Sequence, residues 1–254
     1  MKPNVLVIAG HDPSGGAGIH ADIETIHSLG GLAATLITGL TVQNSQNVQE
    51  FELVSIDLLQ RQADALLADM SFAAVKIGMT GSPAMVQFIA SLLARLPDDI
   101  PVVLDPVLAA EAGGSLGETD LPAVLLAKLL PRATLATPNL PEAEQLSGCQ
   151  GVATAGRALR QHGVPAVLIT GTHDDTEAVH NHLFSDSGEQ RWAWPRLPGS
   201  FHGSGCTLAA ACAVLLAEGL PLEQALTTAQ DYVHRSLKNA WQAGQGQLIP
   251  DRRG

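Results

Sequence analysis

The stretch Phe201-His202-Gly203-Ser204-Gly205-Cys206-Thr207 sets a thiol among small residues, immediately before the apolar run "LAAACAVLL". Small residues opening into such a run predict a helix start. Unpaired amide groups and the positive end of the helix dipole should then converge on Gly203, Ser204 and Gly205. That volume suits a phosphate. Cys206 inside it is expected to have a lowered pKa, because the same field favours the thiolate. The plainer alternative is a small buried residue, the reading given to Cys212 further along the same helix.

Oxygen-bearing side chains extend the set. Asp105 ends the run "VVLDPV", and in "TPNLPEAEQL" Asn139 and Glu142 stand where a strand gives way to a helix. In a parallel sheet the strand C-termini share one edge, which lets these groups meet the helix start at 203–206 without belonging to one segment. Oxygen ligands without thiolate or paired histidines indicate Mg2+, which takes one or two carboxylates plus substrate phosphates. A helix N-terminal acid at Glu142 and a turn residue at Asp105 before Pro106 are the structural alternatives.

A second glycine-rich loop, "HDPSGGAGIHAD", follows the first apolar run. Its "GAGIHA" satisfies the G-x-G-x-x-A pattern of a dinucleotide site, but a further five residues separate Gly10 from it and the second strand ends in "TGLTVQN" without a carboxylate. A Walker A loop is absent. The glycines instead let a ligand approach the backbone closely. Asp22, one turn into the following helix, either points back at that ligand or is a solvated first-turn acid.

The elements that must position these residues form a regular alternation. "VLVIAG", "LAATLIT", "AAVKIG", "VVLDPV", "ATLAT" and "AVLIT" are short, β-branched runs with room for a crossover helix between each pair. This predicts an α/β fold, a mainly parallel sheet with helices on both faces. Ser55 before "IDLLQRQADALLADM" and Pro83 in "SPAMVQFIASLLARL" mark helix starts. Two stretches break the pattern. Residues 43–55 read as a flap over a pocket, and residues 178–196, with "SDSGE" as a turn, read as an antiparallel pair at a sheet edge. His180 and His182 share one face of that strand, without a third metal ligand nearby.

Composition sets outer limits. Of 254 residues, 46% are hydrophobic, enough for a large core, and a net charge of −11 with pI near 5.1 argues against a nucleic-acid or anionic-membrane surface. Three cysteines form no disulfide framework and fit a reducing cytoplasm. The first apolar run is too short for a signal peptide, and no run reaches the roughly 18 apolar residues of a membrane span.

Taken together, "VIAGHDPSGGAGIHADIETI", "TGLTVQN", "KIGM", "VLDPV", "TPNLPEAEQL" and "HGSGCTLAAA" resemble the hydroxymethylpyrimidine and phosphomethylpyrimidine kinases of thiamin biosynthesis, within the ribokinase-like family. The resemblance implies a single kinase domain over 1–254, an αβα sandwich with a small antiparallel edge, ATP and Mg2+ as cosubstrates, a cytoplasmic setting and a homodimer. By position, Asp22 and Gln43 match polar contacts to the aminopyrimidine, while Gly10 and Met79 line its ring pocket. Gly203, Ser204 and Gly205 match the anion hole, and Cys206 stands where many ribokinase-like relatives have an aspartate base. Asp105, Asn139 and Glu142 match the metal and phosphate region, with Asp105 and Glu142 toward the metal and Asn139, Gly203 and Gly205 toward the nucleotide. As a thiolate, Cys206 would remove the hydroxymethyl proton; the monophosphate, with a second pKa of about 6, needs no base for a second transfer.

Three departures from the family pattern remove cations or donors near the expected phosphates. "TGTH" at 170–173 replaces "KGGH", Glu111 and Ala112 replace lysine or serine, and "GQGQLIPDRRG" replaces a glycine- and histidine-rich tail. A pyridoxal or pyridoxine kinase is the alternative enzyme. A catalytically silent pyrimidine-binding regulatory module is the alternative from another class, against which the joint presence of Asp105, Glu142 and Cys206 speaks.

Overall fold

The computed structural model describes residues 2–108, 120–171 and 176–253. Among them one sheet contains β1 (Asn4–His11), β2 (Leu32–Gln43), β3 (Val48–Leu53), β4 (Ala74–Ile77), β5 (Val102–Leu104), β6 (Leu135–Ala136), β7 (Ala166–Ile169), β8 (Ala178–Ser185) and β9 (Gly188–Pro195). The spatial order is β3-β2-β1-β4-β5-β6-β7-β8-β9. Strands β2, β1, β4, β5, β6 and β7 are parallel, and each coincides with one of the β-branched runs. Antiparallel pairing occurs at both edges instead of one. The flap segment pairs as β3 on β2, and β8–β9 closes the other side through a tight turn between Ser185 and Gly188.

The helices are α1 (Gly18–Ser28), α2 (Ile56–Asp69), α3 (Pro83–Leu93), α4 (Leu121–Lys128), α5 (Leu140–Ser147), α6 (Val152–Gln161), α7 (Ser204–Ala217) and α8 (Leu222–Lys238). Local chemistry sets several starts. Ser55 Oγ accepts the Leu58 N–H, and Ser82 Oγ accepts the Met85 N–H ahead of Pro83. Among the described residues no helix is long and apolar enough to cross a membrane.

Period-two alternation in β1 divides the core. Val5, Val7 and Ala9 pack with Ile19, Ile26, Leu208 and Tyr232 beneath α1, α7 and α8, whereas Leu6 and Ile8 pack with Leu59, Phe88 and Leu125 beneath α2 to α6. Helix α7 is buried almost all round, from Thr207 to Leu215, which explains its lack of a polar face. Strand β1 lies between β2 and β4, so chain direction across the sheet reverses there and a crevice opens at the strand C-termini.

Packing between α6 and β8 yields a test. A Cβ on Gly156 would stand 2.3 Å from Cδ2 of the buried Phe184 ring. Gly→Ala in a helix ordinarily gains about 0.5–1 kcal/mol, but overpacking costs about 1–3 kcal/mol. Gly156→Ala should therefore lower the urea midpoint, and a raised midpoint would show that the ring moves freely.

Candidate active site

A cavity of about 480 Å³ lies at the C-terminal edge of the parallel strands. Gly10, Met79, Asp105 and Asn139 reach it from the ends of β1, β4, β5 and β6, and Glu142 from the first turn of α5. Gly203, Ser204, Gly205 and Cys206 line it from the start of α7, and Gln43 from the flap. A Cβ on Gly10 would be 2.8 Å from Met79 Sδ, so the thioether packs directly against that backbone; Thr38 Oγ1 donates to Met79 O (2.6 Å) and holds the methionine's backbone.

Two helix N-termini meet at this cavity. Ala17 caps α1 and Gly203 caps α7, and neither helix start receives a side-chain hydrogen bond from its cap. Gly203 has φ 78°, and a Cβ there would fall 2.1 Å from Gly16 O and 2.8 Å from Ala17 Cα. A Cβ on Gly16 would in turn enter the His202 ring. The two loops are bound together by Asp12. Its Oδ1 accepts from Ser14 N–H (2.8 Å) and Ser14 Oγ (2.7 Å), its Oδ2 accepts from Ala17 N–H (2.8 Å), and His202 Nε2 lies 2.8 Å from Oδ2. Burial opposes ionisation of Asp12, but the His202 and Ser14 hydrogen bonds outweigh it and hold the carboxyl well below the usual range.

Beneath the cavity sits Lys76 of β4, fully buried, 2.9 Å from both carboxylate oxygens of Asp22. Burial disfavours its charge, yet Asp22, Cys206 and Asp105 more than compensate and keep the ammonium protonated. Asp22 itself is neither solvated nor aimed at the cavity. Its place on α1 shares the inner face with Ile19 and Ile26, so the carboxylate points into the sheet and meets Lys76. Asp22 therefore stands behind Lys76, which lines the cavity, and is not itself part of the cavity wall.

The expectation for Cys206 also changes. The side chain keeps partial exposure, but burial pushes the thiol up to about 12. Lys76 and the Gly18 amide pull the other way, while Asp105 and Asp22 reinforce the rise. Helix-end amides favour a thiolate, but desolvation and two carboxylates from β5 and α1 prevail over them.

Asn139 and Glu142 form a capping box: Asn139 Oδ1 accepts the Glu142 N–H (2.9 Å) and Glu142 Oε2 accepts the Asn139 N–H (3.0 Å). Glu142 Oε1 also accepts from Leu108 N–H at 3.4 Å. The acid thus serves the helix start and still faces the cavity. Among the described residues no cluster of three metal-ligating side chains exists, and His180 and His182 lie with ring centroids 6.5 Å apart. Glu111, Ala112, Thr172 and His173 fall outside the described residues.

The far end of the cavity is aromatic and apolar. Trp194 of β9 lies 5.3 Å from the His234 ring, beside Val233 and Leu237. Gln230 Oε1 accepts from Asn181 Nδ2 (2.9 Å) and Trp194 Nε1 (3.1 Å), fixing the indole. Sequence reading did not single out Asp12, Lys76, Trp194, His202 or Gln230. Lys76 carried a signal, a cation inside the four-residue strand "AVKI" that must be buried on both faces; the others depend on contacts between distant segments.

A family model described as phosphomethylpyrimidine kinase matches residues 12–251. The chain belongs to this family. The hydroxymethylpyrimidine/phosphomethylpyrimidine kinase of Escherichia coli is 41% identical over 219 residues, covering 84% of this chain and 82% of that protein. Phosphomethylpyrimidine kinase from Clostridium difficile is similar at a TM-score of 0.79 and 32% identity, covering 91% of this chain and 98% of that one. Pyridoxal kinase from Staphylococcus aureus, solved with AMP-PCP and pyridoxal, gives a TM-score of 0.91 at 25% identity, covering 100% and 94%. Structural neighbours of this kinase family thus share the ribokinase-like fold over the full sheet.

The buried pair permits a stability test. Lys76→Met strands Asp22 without its cation and should cost about 3–5 kcal/mol, seen as a lower urea midpoint. Adding Asp22→Leu should recover most of the loss. An unchanged midpoint in the single variant would show that the pair is not ionised.

Proposed function

We propose that the protein transfers the γ-phosphoryl group of ATP to hydroxymethylpyrimidine, and then to the resulting monophosphate, in thiamin biosynthesis. The supporting observation is the meeting of two helix N-termini, α1 and α7, at Cys206, opposite Asp105 and Glu142 in one cavity. Family membership supplies the reaction class. In this reading Gly10, Met79 and Gln43 bound the aminopyrimidine; the glutamine amide donates and accepts at once, which suits a ring nitrogen beside an exocyclic amine. Asp22 acts behind them by fixing Lys76. Trp194 and His234 offer stacking faces to the nucleotide base.

Gly203, Ser204 and Gly205 supply amides for the charge that develops on the transferred phosphoryl group, and Asn139 holds the α5 start facing it. Asp105 and Glu142, two carboxyl groups from different elements lining one cavity, would hold Mg2+ together with phosphate oxygens. Mg2+ would neutralise phosphate charge there. Cys206 takes the hydroxymethyl proton in its ionised form, which Lys76 and the Gly18 amide favour.

Incubation with hydroxymethylpyrimidine and MgATP, followed by mass analysis, should give mono- and diphosphate. Cys206→Ser should slow the first transfer at least about tenfold more than the second, because only the first nucleophile must lose a proton. The first-transfer kcat/KM should still climb above pH 9, since a thiol raised to about 12 in the free protein yields more thiolate with each step in pH. Equal losses in both transfers and a flat profile would remove the base. The absence of both products would sink the kinase reading.

Likeness to the pyridoxal kinase favours one second reading, a pyridoxal side activity; competition between pyridoxal and the pyrimidine in an ADP-release assay separates the two. Free Cys149, Cys206 and Cys212 accord with a cytoplasmic setting. A homodimer is supported by exposed apolar side chains two apart on the edge-proximal strand β2, Leu40 at 51% and Val42 at 48%. Sedimentation should give a dimer that Leu40→Lys with Val42→Lys converts to a monomer; a wild-type monomer at assay concentration would refute it.

A further inference from the structure

Three parts of the cavity wall are distant in sequence, and one stretch touches all of them. After α8 the chain turns back through a bridge in which Trp241 and Ile249 exchange amide–carbonyl bonds of 3.0 Å. Gly246 N–H then donates to Ser45 Oγ (3.1 Å) and Gln247 N–H to Ser45 O (2.8 Å). Ser45 is buried at the tip of the flap, between β2 and β3. The approach is close: a Cβ on Gly246 would fall 2.1 Å from Ser45 O, and one on Gly244 would fall 2.3 Å from its Oγ.

Farther on, Leu248 N–H donates to Ser200 O (2.8 Å) and Leu248 O accepts the His202 N–H (2.9 Å), joining the loop that leads into α7. The segment ends at Arg252, whose side chain is 1% exposed. Nε donates to Thr207 Oγ1 (2.8 Å), and that hydroxyl donates onward to Gly203 O (2.8 Å). One terminal nitrogen reaches Gly15 O (3.4 Å) and Glu24 Oε2 (3.1 Å), and the other donates to Gly16 O. Tyr232 Oη donates to Arg252 O (2.7 Å) and holds the backbone.

The peptide linking Gly16 to Ala17 is consequently gripped from both sides. Arg252 takes its carbonyl, and Asp12 takes its N–H. That peptide leads directly into α1, so its orientation fixes where the Gly18 amide points. A planar guanidinium with several fixed donors suits this task, and an ammonium cannot reproduce it.

We propose that residues 244–252 form a strap coupling the flap to the two helix N-termini, with Arg252 as its anchor and a positioning residue; the kinetic consequence rests on the kinase reading, the coupling does not. When the flap seats over a ligand, Ser45 moves with Gly246 and Gln247, and the displacement reaches the loops around Gly16 and Gly203 through Leu248 and Arg252. Small displacements there matter, since misplacement by about 1 Å can cost about a hundredfold in rate.

Hydrogen exchange without substrate tests the coupling. In Arg252→Lys, amides 44–48 and 246–248 should exchange about tenfold or more faster while those of β1 and β4 keep wild-type rates. Gly246→Ala leaves the arginine in place and should loosen the flap alike. Steady-state kinetics should then split: Arg252→Lys lowers kcat about tenfold or more with KM for ATP within about threefold, whereas Gly246→Ala acts first on KM for the pyrimidine. Unchanged flap exchange in both variants overturns the proposal, as does equal acceleration throughout the core, which would make Arg252 a matter of global stability. Exchange needs no turnover, so the strap can hold in a protein that fails the phosphorylation assay, and can fail in one that passes it.

Discussion

The approach of two helix N-termini to one point is the constraint from which the rest of the site follows. Like ends of two dipoles repel, and their unpaired amides lose solvent when they adjoin. Two features of the chain offset this. Gly16 and Gly203 remove the side chains that would separate the loops, and Asp12 places an ionised carboxylate at their junction with partners from both. Its lowered pKa is the energetic expression of that role, because protonating it would leave two positive ends facing each other without a counter-charge. The glycines are accordingly fixed by sterics and Asp12 by electrostatics, before any ligand is considered.

A second balance operates one layer deeper. Lys76 stands as one cation against the carboxyl groups of Asp22 and Asp105, so the cavity floor carries more acid than base. An anion entering alone would meet helix-end amides above and carboxylates below. In the proposed reaction, a phosphate accompanied by a divalent cation would satisfy both layers. The chain's net charge of −11 makes this local arrangement necessary, since long-range attraction cannot bring the anion in. Cys206 feels the same floor in second place: burial raises its thiol first, and Asp105 and Asp22 add to the rise against Lys76 and the Gly18 amide.

Much of this was legible in the sequence because it is local. Short β-branched runs became the six parallel strands, Ser55 became a cap and Pro83 the first turn of α3, and the Asn139–Glu142 spacing became a capping box as well as a pair of cavity residues. What escaped was non-local. The dipole at α7 can be read from "GSGCT", whereas the acids opposing it come from β5 and α1, which only the fold brings together. Asp22 was misread for a related reason: helical periodicity sets its face, but that this face is the inner one depends on where α1 packs. Nothing in "DRRG" announces that Arg252 ends beside Gly16, across nearly the whole chain.

Likeness in shape and likeness in sequence point to different relatives, and the site explains why they can. The sheet and the paired helix starts are features of the backbone, and a pyridoxal kinase matches that backbone at a TM-score of 0.91 with 25% identity. In the proposed reaction, discrimination between rings would fall to a few contacts at the flap end. There Met79 is pressed against Gly10 and held by Thr38, and Gln43 sits at the end of β2, where the strand turns into the flap. In the proposed reaction, a ring seated between them would be judged by one amide's donor and acceptor and by the thickness left beside a thioether. A site that hydrogen-bonds a substrate group rejects an analogue lacking it far more strongly than an apolar wall rejects a change of size. In the proposed reaction, substrate choice would therefore reside in the flap and the Gly10–Met79 wall, and the proposed strap would bear on it as directly as the residues that face the ring.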